Sequence, residues 1–108
     1  MSIALNTRPR TAPKEATREI PIATHDGFRR YWTPACEALD LRWVPIFTSG
    51  ITLERADIPY VLDELEALKR WSEQHPETGE MIGERLHRLI SELRALANVA
   101  DDYEIYVG

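Results

Sequence analysis

Two stretches of the chain repeat apolar residues at spacings of three and four, the period of an amphipathic helix. From Asp57 to Gln74 the repeat is Ile58, Val61, Leu62, Leu65 and Leu68, with Trp71 or Ser72 continuing the face. Asp57 is a suitable cap for the first amides, and Pro59 falls in the first turn, where a missing donor costs little. His75-Pro76 ends the run, because proline disfavours helical geometry in the residue before it. Thr78-Gly79 opens the second stretch, and Ile82, Leu86, Leu89, Ile90, Leu93, Leu96 and Ala97 carry its stripe. The short connection predicts an antiparallel helical hairpin. Glu66–Arg70 and Glu84–Arg88 stand in the favourable i,i+4 order on its outer faces.

Elsewhere the period shortens. Glu19–Thr24 places Ile20 and Ile22 on one side, as a strand does, and Pro21 assigns that strand to a sheet edge or to its own start. Tyr103–Val107 alternates cleanly, with Tyr103, Ile105 and Val107 opposite Glu104 and Tyr106. Leu41–Phe47 is rich in strand formers, Thr48-Ser49-Gly50 reads as a turn, and Ile51–Glu54 alternates again. Residues 41–54 are therefore expected to form a β-hairpin. After the turn residues His25-Asp26-Gly27, Phe28, Tyr31, Trp32, Ala35 and Leu39 mark one helical face that Pro34 interrupts. That segment is either an aromatic-bearing turn followed by a helix from Pro34 to Asp40, or one kinked helix. The order β-α-β-β-α-α-β predicts an α+β domain: a small, mostly antiparallel sheet of about four strands covered on one face by helices, with a ferredoxin-like variant as the nearest arrangement.

Charge divides the chain in two. Residues 1–18 carry Arg8, Arg10, Lys14 and Arg18 against Glu15 alone, a balance of +3, which leaves −8 for the remainder of a chain whose net charge is −5. With two prolines and no apolar period after Leu5, residues 1–18 read as a flexible basic arm, and 19–108 as a single α+β domain. The 108-residue length suits one domain. No apolar run approaches the roughly 20 residues of a bilayer span, and no secretory signal pattern is present, so a soluble, cytoplasmic protein is expected, with no membrane partner. The acidic balance opposes general nucleic-acid binding. The single cysteine excludes an intrachain disulfide and a multi-cysteine zinc site.

Candidate chemistry is sparse. Glu84-Arg85-Leu86-His87 sets a carboxylate and an imidazole one helical turn apart, with Glu80 a turn earlier. Dimetal bundles need two such motifs, and the facing helix offers Asp63, Glu64, Glu66 and Glu73 without a histidine. The solvated side of a helix is the simpler reading, and no metal is expected. His25-Asp26 sits in a turn without a positioned partner, and Cys36 lacks the surroundings of a nucleophile. The glycines form no phosphate-binding pattern, so no cofactor is expected.

Many large rings serve a small core. Trp32, Trp43 and Trp71 are expected to seal it, with other aromatics partly exposed, and exposed rings beside acids suit a protein interface. The expected partner-binding residues are Asp63, Glu64, Glu66, Trp71 and Glu73. Size, charge and architecture resemble those of small acidic bacterial immunity proteins, without a diagnostic motif. The expected function is a non-catalytic acidic module of the inhibitor, antitoxin or immunity type that pairs with a basic protein. The alternatives are a homo-oligomeric structural protein, or a small ligand-binding or enzyme domain using the cleft between sheet and helices.

Overall fold

A strand, rather than a flexible arm, begins the fold. In the computed structural model, which describes residues 2–108, Ser2–Pro9 forms β1 and pairs with two neighbours at once. Ile3 and Leu5 are fully buried. Three of the four basic residues that made this stretch look solvated are met by a distant acid: Arg8 by Glu104 at 2.9 Å, Arg10 by Asp102 at 2.9 Å, and Arg18 by Glu92 at 2.9 Å. The expected arm over residues 1–18 is thus corrected at residues 2–9, which form β1, and at Arg18, which begins the next strand; residues 10–17 connect the two, and Met1 lies outside the described residues.

Four strands form one antiparallel sheet in the order β2-β1-β4-β3, with β2 at Arg18–Thr24, β3 at Ile51–Leu53 and β4 at Tyr103–Val107. β2 lies at an edge, as Pro21 requires, and its register with β1 shifts between Ile3 and Ala4, opposite the proline. The α+β class and the strand count hold, but one strand is exchanged for another. β1 enters the sheet, and Leu41–Phe47 leaves it. The element order is therefore β-β-α-β-α-α-β, opened by a hairpin, and the split β-α-β crossover of a ferredoxin-like sheet is absent.

The expected hairpin over 41–54 keeps only its second strand. Val44–Thr48 instead winds into a short 3-10 helix with Pro45 in its first turn. The reason is a carboxylate far along the chain. Glu64 accepts hydrogen bonds from the backbone N–H groups of Arg42 at 2.9 Å, Trp43 at 2.9 Å and Val44 at 3.0 Å. Those amides are thereby satisfied without a strand partner.

Residues 25–39 resolve the two readings of Pro34 in favour of one continuous helix. α1 at His25–Gly27 runs through a π-helical segment, Phe28–Trp32, into α2 at Thr33–Leu39. Thr24 Oγ1 accepts from the Gly27 amide at 2.9 Å and caps the start. Pro34 has no N–H to give, and the Thr33 amide bonds Phe28 O five residues back, which widens the helix at that turn. Phe28 and Trp32 then stack with centroids 5.4 Å apart, both buried. Asp40 closes α2 in the left-handed region at φ 54°, with the Leu41 amide returning to Cys36 O at 2.9 Å.

α3 at Ile58–Glu73 and α4 at Pro76–Asn98 form the expected antiparallel pair, joined by Gln74 and His75. Their stripes meet the inward side chains of the sheet, Ile3 and Leu5 of β1, Ile20 of β2, Leu53 of β3, and Ile105 and Val107 of β4, in one core. The opposite sheet face presents Asn6, Arg8, Glu19, Thr52, Glu104 and Tyr106 to solvent. Neither expected i,i+4 ion pair is among those formed by the described residues. Glu66 reaches across the hairpin to Arg94 instead. No helix of the described residues is long and apolar enough to cross a membrane.

Candidate interaction surface

The five residues expected to bind a partner all lie on α3, but they divide by role. Glu64 is half-buried and holds the amides of residues 42–44, so it shapes the surface from below. Glu66 pairs with Arg94 and ties α3 to α4. Trp71 is half-buried, its indole stacked on the His75 ring at 3.7 Å, while His75 Nδ1–H donates to the Trp71 carbonyl at 2.8 Å. The tryptophan thus secures the helical turn it belongs to. Asp63 and Glu73 are exposed and form no ion pair among the described residues. They sit at opposite ends of the helix, and Lys69 and Arg70 lie between them. The structure does not gather the five residues into one site.

A residue the periodicity passes over stands out instead. Tyr60 lies off the apolar stripe of α3 and is 62% exposed, the most exposed large hydrophobic side chain among the described residues. Its ring stacks on Trp43 with centroids 6.4 Å apart and planes 10° from parallel. Trp43 is held there because Glu64, one turn after Tyr60 on the same helix, grips its amide. One helix face therefore supplies both the ring and the carboxylate that positions its partner ring. Ile46, on the same short 3-10 helix, is 42% exposed. Asp63 follows Tyr60 by three residues on the outside of α3.

The charge near these rings is strongly negative. Residues 37–64 contain six acids and two arginines, a balance of −4 in a chain whose total is −5. Arg55 turns away to the Asp101 carbonyl, leaving Arg42 as the segment's other cation. The result is an aromatic pair with an exposed aliphatic neighbour, set in an acidic segment of the chain. The useful sequence signal was the position of Tyr60 outside the stripe, beside Asp63.

The remaining candidates fare differently. Glu84 and His87 are both exposed on α4, and no group of three or more His, Cys, Asp or Glu side chains converges as a metal site among the described residues. Asp26 holds Arg29 at 2.5 Å and Arg30 at 3.1 Å rather than orienting His25. Cys36 is 2% exposed, and burial, with the charges of Glu64 and Glu37 adding to it, pushes its thiol from 9.0 up to about 12. A thiol so held is protonated at neutral pH and is a poor nucleophile. Compared with protein families, curated proteins and solved structures, the chain matches none.

Proposed function

We propose that this protein is a non-catalytic binding module, of the inhibitor or immunity type, whose Trp43–Tyr60 face docks a basic protein partner. The observation that carries the reading is the exposed, pre-positioned Tyr60 ring, stacked on Trp43 in a segment whose own balance is −4. Tyr and Trp anchors contribute a large share of binding energy at protein interfaces, and their fixed geometry reduces the ordering cost on association. The surrounding acids speed encounter with a positively charged surface and disfavour acidic competitors. Asp63 is the charged contact retained from the sequence expectation. Glu64 contributes by holding the 42–44 backbone in place.

The test compares co-purification from native lysate by the wild-type chain, by a Tyr60→Ser/Asp63→Arg double variant, and by Thr52→Arg on the open sheet face. All three substitutions are at exposed positions, so folding is retained. The expected result is one stoichiometric basic protein captured by wild type and Thr52→Arg and lost with the double variant. Equal capture by all three, or recovery of the protein alone as a homo-oligomer, overturns the reading.

A further inference from the structure

We infer that the protein also carries a small-molecule site, at the free edge of β2, for an apolar monocarboxylate. The edge of β2 meets the α1–π segment and α4 in a cleft of about 370 Å³, within the size range of small-ligand sites. Its apolar walls include Ile22, Trp32 and Ile82, each at most 2% exposed. Its rim includes Tyr31, Met81 and Arg85, and Met81 is 56% exposed, an unusual place for a thioether unless something covers it.

Charge distinguishes this cleft from two others on the molecule. In the groove between α3 and α4, Lys69 shares the lining with Glu73 and Glu80. In the cleft beside β1, Arg18 is paired with Glu92. At the β2 edge the lining contains Arg85 and no carboxylate, and Arg85 forms no ion pair or side-chain hydrogen bond among the described residues. The nearby Arg29 and Arg30 are both engaged by Asp26. The guanidinium at this apolar floor is thus uncompensated, as are those of Arg42, Arg70 and Arg88 elsewhere among the described residues.

One cation suits a monoanion better than a phosphate dianion, and the planar fork of a guanidinium matches a carboxylate. The apolar walls take the hydrocarbon body of the ligand. The Tyr31 hydroxyl, which has no hydrogen-bond partner among the described residues, adds a donor at the rim. The π turn contributes position: by widening the helix before Pro34, it sets Tyr31 and Trp32 together on the cleft.

Phenylacetate is the probe, with phenylacetamide as its neutral counterpart, titrated into the full chain and followed by amide and methyl NMR shifts. The expected result is saturable binding with a Kd of about 1 mM or tighter, with shifts centred on Ala23, Tyr31, Met81 and Arg85. Arg85→Gln, a surface change that leaves the fold intact, weakens binding about tenfold or more, and the amide binds as poorly as that variant. Met81→Glu, which supplies a carboxylate four residues before Arg85, also weakens it. Absence of saturation, equal binding by Arg85→Gln, equal binding of the amide, or shifts centred on another surface overturns the assignment. Partner capture through the Tyr60 face is read separately and does not depend on this result.

Discussion

At the scale of single residues, Glu64 has the widest influence on the surface. Its two oxygens receive three backbone N–H groups from residues 42–44, and through them it turns a strand-like sequence into a 3-10 turn and fixes Trp43 beneath Tyr60. Removing it leaves those donors without their partner in a half-buried setting, so Glu64→Ala is expected to lower stability by about 2 kcal/mol in urea denaturation. Glu64→Gln keeps one acceptor oxygen and is expected to lose less. If the two variants unfold at the wild-type urea midpoint, the carboxylate does not hold the turn. Sequence periodicity cannot disclose such a role, because Glu64 sits on α3 like any solvated acid and its partners are some 20 residues away. Tyr60 was missed for a related reason: a stripe-based reading records what faces the core, and the important fact about Tyr60 is that it does not.

At the scale of elements, the helical hairpin was the most legible part of the chain, because its apolar period is long and its stop signals are local. β4 was legible from its clean alternation of Tyr103, Ile105 and Val107 with Glu104 and Tyr106. β1 was obscured, although Ile3 and Leu5 alternate as strand residues should, because Arg8 and Arg10 find their acids about 90 residues later. Leu41–Phe47 misled in the opposite direction, since strand-forming side chains were overruled by a tertiary carboxylate. The two glycines early in α4 separate packing from propensity. A Cβ on Gly79 would lie 2.6 Å from the Ser72 carbonyl oxygen of α3, backbone that cannot step aside, whereas a Cβ on Gly83 meets nothing within 4 Å. Gly83→Ala is expected to stabilise by up to about 1 kcal/mol through helix propensity. Gly79→Ala, with the same gain in propensity, is expected to destabilise by about 1–3 kcal/mol because α3 and α4 are forced apart. Thermal melts that move in the same direction for both variants would refute that packing.

At the scale of the whole molecule, the fold arranges its charge by pairing ends with middles. Arg8, Arg10 and Arg18 of the N-terminal stretch pair with acids of α4, β4 and the preceding turn, which leaves one acidic segment at residues 37–64 and another at residues 73–84. The sheet, capped on one side by α3 and α4, makes a rigid support for the first of these, while the edge of β2 lies in a separate cleft bearing the unpaired Arg85. The class of the fold and the location of most core residues followed from the sequence. The surface did not, because it depends on which acids are engaged and which rings are left uncovered, and both are settled by contacts distant in sequence.

The most direct test of the binding reading is amide hydrogen exchange of the chain alone and in complex with its captured partner. The account predicts slowed exchange on binding over residues 42–48 and 58–64, with the outward strand residues Thr52, Glu104 and Tyr106 unchanged. Protection confined to the open sheet face, or no difference over 42–48 and 58–64, would contradict it.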